Sequence, residues 1–333
     1  MSSNSRKLQY SLAINEALHQ MMAEDESVFL IGQGVKSPWY VGNTAKGLLE
    51  RFGSERVIDT PVSENAVTGS AVGAALVGMR PVVVHPRMDF MLYAFDPIIN
   101  EAANWHYMFG GKLSVPLVIW CIVNRGGEQA AQHSQALHAL FAHIPGLKVV
   151  MPSTPYDAKG LMIAAIRDDN PVVYIDDRWL YQIDGDVPEV IYEVPIGQAA
   201  VVREGKDVTV AANSYMVQTA MKAAGQLARD GIEVEVVDTR TIKPLDQDLL
   251  VSSVKKTGRI VIADGGWKTC GVAAEISSIV SEEAFGCLKA PVARVAVPDV
   301  PAPASLVLEK IYYPDSEKIV QAVMRTLSNG KDA

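Results

Sequence analysis

Two periods run through the hydrophobic and polar positions of this chain. Short, nearly continuous apolar runs stand at residues 28–31, 57–60, 82–84, 116–123, 147–151 and 172–175. Runs of this length that lack a polar alternation read as strands covered on both faces. Helical periods lie between them. Residues 11–23 place Leu12, Ile14, Ala17, Leu18 and Met21 on one face. Residues 44–52 predict a second helix ended by Gly53, and residues 93–107 a long one broken at Gly110 and Gly111. A further helix follows Glu64 and is built from small residues, Gly69, Ala71, Gly73, Ala74 and Ala75, with Gly78 closing it. Thr154 and Pro155 start another as cap and first helical residue. After residues 182–197, an acidic, turn-rich stretch that reads as a linker, the alternation resumes: strands at 208–211, 233–237 and 259–263, and a helix at 214–229. Strands that alternate with helices in both halves predict an α/β protein with two mainly parallel sheets.

Composition narrows the possibilities. A chain of 333 residues exceeds the usual single core, so two domains are expected. Apolar residues at 49% with 20% charged describe a packed globular protein. A net charge of −8 argues against nucleic acid or an anionic membrane surface as partner. No apolar run approaches the roughly 20 residues of a membrane span, and the N-terminus lacks the apolar core of a signal peptide. The three cysteines, Cys121, Cys270 and Cys287, are too sparse for a disulfide frame or a zinc site, and suggest reduced thiols in a cytoplasmic protein.

Four places could carry chemistry. Glu64 follows the 57–60 run and opens a thin helix, so it falls outside the carboxyl end of a parallel sheet, where open α/β sheets bind ligands. The plain alternative is an acidic residue in a first helical turn, facing water. Asp89 and Phe90 follow the 82–84 strand in the loop HPRMDFMLYAFD, near Glu64 at the same sheet edge. A ring beside a carboxylate suits a flat heteroaromatic ligand, although Phe90 can equally be core. His133 lies in a glycine-rich stretch after the 116–123 strand, a fair place for acid–base work or for an ordinary satisfied histidine. His138 and His143 are not at a metal-ligand spacing from it. The string ADGGWKTCG, residues 263–271, has glycines near a strand end but fits neither nucleotide-binding pattern. No Gly-x-Ser-x-Gly or His-Glu-x-x-His motif occurs, which removes support for the common hydrolases.

The strings DTPVSENAVTG, RMDFMLYAFDPIINEAA and AAQHSQALHALFAHIPGLKVVMPSTPYDAKGLMIAAIRDDNPVVYID together resemble the beta subunit of thiamine-diphosphate-dependent 2-oxo acid dehydrogenases, of the pyruvate and branched-chain types. The resemblance spans nearly the whole chain. It implies a transketolase-like pyrimidine-binding domain over residues 1–190, a linker at 191–196 and a transketolase C-terminal domain over 197–333. It implies that Glu64 hydrogen-bonds N1′ of the cofactor's aminopyrimidine, that Phe90 stacks on that ring beside Asp89, and that His133 is the active-site histidine near the thiazolium and substrate. It also implies a potassium site at Leu117, Ala165, Ile166, Asp168 and Asn170, mostly through backbone oxygens. The Gly-Asp-Gly…Asn motif that holds magnesium and the diphosphate in this superfamily is absent here. The resemblance places it on an alpha subunit, implying an alpha2beta2 heterotetramer.

Departures from the family pattern bear on the substrate. Gln33 stands where an acidic residue is usual, and His85, Pro86, Arg87, Met88 and Asp89 replace the usual stretch before Phe90. The loop after the 116–123 strand reads Asn124-Arg125-Gly126-Gly127-Glu128. His85, Arg87 and Arg125 could therefore meet an anionic or polyhydroxylated substrate, or form a solvated rim. The leading expectation is decarboxylation of a 2-oxo acid such as pyruvate, with acyl transfer to the lipoyl domain of an acyltransferase. The alternative is a transketolase-like or acyloin-forming carboligase. A silent scaffold subunit is a third reading, opposed by the joint presence of Glu64, Phe90 and His133.

Overall fold

The computed structural model describes residues 5–37 and 42–328. Trp39 and Tyr40, which the sequence suggests are exposed, lie outside these residues. The chain divides into two compact units, one of residues 1–125 and 140–196, the other of residues 126–139 and 197–333.

In the first unit, β1 (Ser5–Gln9) leads directly into α1 (Tyr10–Glu24), then β2 (Val28–Gly32), α2 (Leu48–Phe52), β3 (Val57–Asp59), α3 (Glu64–Leu76) and β4 (Arg80–His85). α4 (Ala103–Met108), β5 (Val118–Val123), α5 (His138–Ala142, whose first two residues fall in the second unit), β6 (Lys148–Val150), α6 (Pro155–Arg167), β7 (Val172–Asp177) and β8 (Asp184–Pro188) follow. Six of these strands lie in the order β6-β7-β5-β4-β2-β3, and every pair among them is parallel. The continuous apolar text of β5 is explained by complete burial of its six residues. α1 buries Ala13, Ile14, Ala17, Leu18 and Met21 and packs on α6. Thr154 caps α6 by accepting from the Asp157 amide at 3.1 Å.

The second unit contains β9 (Ala200–Arg203), β10 (Val208–Ala212), α7 (Tyr215–Leu227), β11 (Val234–Asp238), β12 (Thr241–Lys243), α8 (Gln247–Thr257) and β13 (Ile260–Trp267). α9 (Val272–Glu283), β14 (Ala293–Val297), α10 (Leu306–Tyr312) and α11 (Ser316–Leu327) complete it. Its sheet runs β14-β13-β10-β11-β9, parallel except for β9 at one edge. Met216, Ala220, Ala223 and Leu227 of α7 pack with Ile319 and Val323 of α11 over Val210, Val236 and Val261. The expected α/β class with two mainly parallel sheets is thus observed.

Three local expectations differ from the structure. The stretch 93–107 is not one helix but a 3-10 turn, Met88–Ala94, a π-helical stretch, Asp96–Ala102, and then α4. Pro97 explains the break ahead of the π-helical stretch: it has no N–H for a regular helical bond, and its ring would collide with the carbonyl of residue 93 in a continuous helix. The second helix begins only at Leu48, after Gly47 at φ 76°. Within the linker-like text, Asp184–Pro188 is a strand, paired antiparallel with Ser5–Gln9 and tied to it by the Lys7–Asp186 ion pair at 2.8 Å.

Candidate active site

β2, β3 and β4 end side by side, and the segments leaving them line an open cleft at the carboxyl edge of the first unit's sheet. Gly32 ends β2 at φ 154°, and a Cβ there would meet the Val84 carbonyl at 2.5 Å, so only glycine permits this approach of β2 to β4. The Thr60 amide donates to the Gly32 carbonyl at 3.1 Å, which joins the ends of β2 and β3. Glu64 is the first residue of α3, half-buried, with its carboxylate in the favourable field of the helix N-terminus. Phe90, on the turn after β4, lines the same cleft with Pro61, Val67, Val84 and Pro86. The Thr60 hydroxyl also lines it, buried and without a hydrogen-bond partner among the described residues.

His85 and Arg87 belong to this cleft as well. His85 is buried, and its Nε2 lies 3.1 Å from the Thr68 hydroxyl, one turn beyond Glu64 on α3. Burial lowers its pKa from 6.5 to about 4, so the ring is neutral at physiological pH and brings no positive charge to a substrate. Arg87 is the cleft's cation. Asp89 is buried in the turn and does not line the cleft. Arg125 also differs from expectation. It is 4% exposed, its guanidinium pairs with Asp177 at 2.7 Å, and it lies over the Trp179 ring. Its charge is spent inside the first unit.

His133 belongs to the second unit, on the loop of residues 126–139. Gly126, Gly127, Glu128 and Ala130 all have positive φ there. For the two non-glycine residues this costs about 1–2 kcal/mol each. The Gly126 amide donates to the Tyr313 hydroxyl oxygen at 3.3 Å, and the Glu309 carboxylate accepts from the Glu128 amide at 2.9 Å. At the far end of the loop, His138 Nε2 meets Asp264 Oδ1 at 2.8 Å with both side chains buried. Asp264 accepts further bonds from the Gly266 and Ala273 amides. Burial alone would raise its pKa, but His138 and the two amides outweigh this and hold it at about 2. The glycines of ADGGW are part of β13, and a Cβ on Gly266 would lie 2.9 Å from His138 Cε1. Sequence reasoning missed this pair: 126 residues separate its members, and spacing carries no signal for it.

The five residues of the implied potassium site lie at the opposite, amino edge of the first sheet, just before β5 and around the start of β7. Arg80 donates to the Ile166 carbonyl at 3.0 Å and to the Asp168 carbonyl at 3.1 Å, and also pairs with Asp169. Lys148 pairs with the Asp168 carboxylate. Two of the expected oxygens therefore already face a fixed guanidinium, although a carbonyl retains a second lone pair.

Known proteins align with this geometry. The family description "Transketolase, pyrimidine binding domain" matches residues 6–183, and "Transketolase, C-terminal domain" matches residues 197–319. The beta subunit of acetoin:2,6-dichlorophenolindophenol oxidoreductase from Cupriavidus necator is 47% identical, covering 98% of this chain and 99% of that protein. The pyruvate dehydrogenase E1 component subunit beta of Rickettsia felis is 46% identical, over 94% of this chain and 96% of its own length. A solved structure titled "Split gene transketolase, inactive beta4 tetramer" superposes with a TM-score of 0.80 at 24% identity, over 96% of this chain and 98% of its own, which establishes likeness of fold. With both domains matched and close similarity along almost its entire length, the chain belongs to the transketolase-type beta subunits that include these two relatives.

Proposed function

We propose that this chain is the beta subunit of a two-component thiamine diphosphate enzyme that decarboxylates a 2-oxo acid such as pyruvate and passes the acyl group to a lipoyl acyltransferase. The observation that carries this reading is the cleft of the first unit, where the Glu64 carboxylate and the Phe90 ring share one largely apolar space. A flat ring bearing a basic nitrogen fits that set, and the partnerless Thr60 hydroxyl offers it a further polar contact. Glu64 would share a proton with the ring nitrogen facing it, Phe90 would cover the ring face, and Val67, Val84, Pro61 and Pro86 would keep water out. When bound, the cofactor supplies a carbon nucleophile and an electron sink for 2-oxo acids. His133 would move a proton on the substrate side.

Magnesium and the diphosphate fall to the alpha subunit in this proposal, since the Gly-Asp-Gly…Asn motif is absent from this sequence. The assembly would be an alpha2beta2 heterotetramer in the cytoplasm, a setting consistent with three free cysteines. The domain bounds 1–190 and 197–333 form part of the same reading. Potassium at the amino edge would have to share oxygens with Arg80. Asp89 would support the turn beneath Phe90, and Arg125 would hold the start of the loop instead of binding substrate.

A second reading keeps the cofactor and changes the acceptor to an aldehyde or sugar. Arg87 in the cleft favours it, because a guanidinium suits anionic or hydroxylated donors. The test uses the protein purified with its alpha chain. Pyruvate, thiamine diphosphate, magnesium and an artificial electron acceptor should give carbon dioxide, and Glu64→Gln should lower the rate by about a hundredfold or more. Unchanged turnover in Glu64→Gln would refute the assigned role. Turnover of ketose donors with no decarboxylation of any 2-oxo acid would select the second reading.

A further inference from the structure

The loop of residues 126–139 is held on the second unit at both of its ends, and His133 lies between the two fastenings. The first fastening is made of Tyr313 and Glu309 against the backbone amides of Gly126 and Glu128. The second is the buried His138–Asp264 pair. This second fastening is specific in construction. Asp264 sits on β13 and is fixed by the Gly266 and Ala273 amides, with Asn213 Nδ2 at 3.5 Å. Gly266 leaves the space that the imidazole occupies. The Nδ1 of His138 is buried and has no partner among the described residues, so Asp264 is the group that orients the ring.

A loop that carries left-handed conformations at Glu128 and Ala130 does not hold its shape by local preference. Groups outside the strained segment must hold it. We propose that His138, oriented by Asp264, is a positioning residue: it fixes the loop so that His133 is presented for proton transfer. This inference rests on the role given to His133 above.

The test is a double-mutant cycle in the assembled alpha–beta enzyme, using His133→Ala, His138→Leu and the double variant. His138→Leu is expected to lower kcat by about tenfold or more with little change in KM, as for a catalytic group slightly misplaced. In the His133→Ala background the same change is expected to have no further effect on kcat. His138→Gln, which keeps a donor toward Asp264, is expected to recover much of the loss. Asp264→Asn serves as the second variant should His138→Leu fail to assemble, with the same non-additivity expected. Amide exchange over residues 126–139 should rise in His138→Leu and in Asp264→Asn.

Effects of His133→Ala and His138→Leu that multiply independently would overturn the proposal and leave the role of His133 intact. So would unchanged kcat in His138→Leu. Full activity in His133→Ala would instead strike at the role of His133, and the positioning proposal would fall with it.

Discussion

Individual buried groups give this protein opposing responses to acid. His85 is lowered from 6.5 to about 4 by burial, so between these values the unfolded chain holds more protons at this site than the folded one. Its contribution is complete above pH 6.5 and is lost as pH falls toward 4, and amounts to about 3 kcal/mol. Asp176 does the reverse. Burial raises it from 3.8 to about 7, only partly offset by the Tyr181 hydroxyl at 2.9 Å. There the folded state holds the extra proton, and stability falls as pH rises from 3.8 to about 7. Asp177 is also raised by burial and adds to the second trend. Between pH 4 and 6.5 the two trends oppose each other in the native chain. Urea unfolding of His85→Gln should therefore show stability falling with pH across this window. Asp176→Asn should tilt the other way. Parallel curves for both variants and the native chain would show that these groups do not set the acid response.

The cleft depends on the fit between elements. Gly32→Ala would drive a methyl group into the Val84 carbonyl where β2 and β4 pair, in a conformation that side chains rarely adopt. The expected cost is about 2 kcal/mol or more, seen as a lower unfolding midpoint, together with weaker binding of thiamine diphosphate. An unchanged midpoint and unchanged binding would mean that the strands part there without consequence. The strands were the legible part of this fold. β2 and β5 are apolar throughout, and β4 and β7 over residues 81–84 and 172–175, because both faces are covered, and α1 and α7 announce themselves by period. The π-helical stretch was concealed because residues 93–107 keep a helical apolar spacing, and Pro97 marks only the break at its start. β8 was concealed because an acidic, glycine-containing edge strand has few apolar residues to betray it, Val187 being its buried one. At the site, strand ends adjacent in a sheet brought Glu64, His85, Arg87 and Phe90 into one cleft, as their positions after β3 and β4 suggested. The pairing of His138 with Asp264 and the burial of Arg125 against Asp177 depend on tertiary packing, which spacing does not encode.

On the scale of the molecule, the first unit exposes a sequence-local run of large apolar side chains. Tyr93, Tyr107, Met108, Phe109 and Leu113 are all exposed around α4. Under the proposed two-component reading, this run is where the alpha chain is expected to dock. Tyr107, 88% exposed, contributes little to the fold of its own chain. Tyr107→Lys together with Met108→Lys should therefore leave thermal unfolding of the isolated chain nearly unchanged and abolish co-purification with the alpha chain. Retained co-purification would place the partner elsewhere.

The excursion of residues 126–139 also bears on how such a protein could be recombined. A crossover at residue 196 would look clean in sequence, since it falls between two complete family domains. It would nevertheless deliver His133 from one parent and its bed of Asp264, Glu309 and Tyr313 from the other. Chimeras of related beta subunits would inherit a mismatched loop even when both halves fold perfectly. The natural unit of exchange is the C-terminal domain plus that small upstream segment.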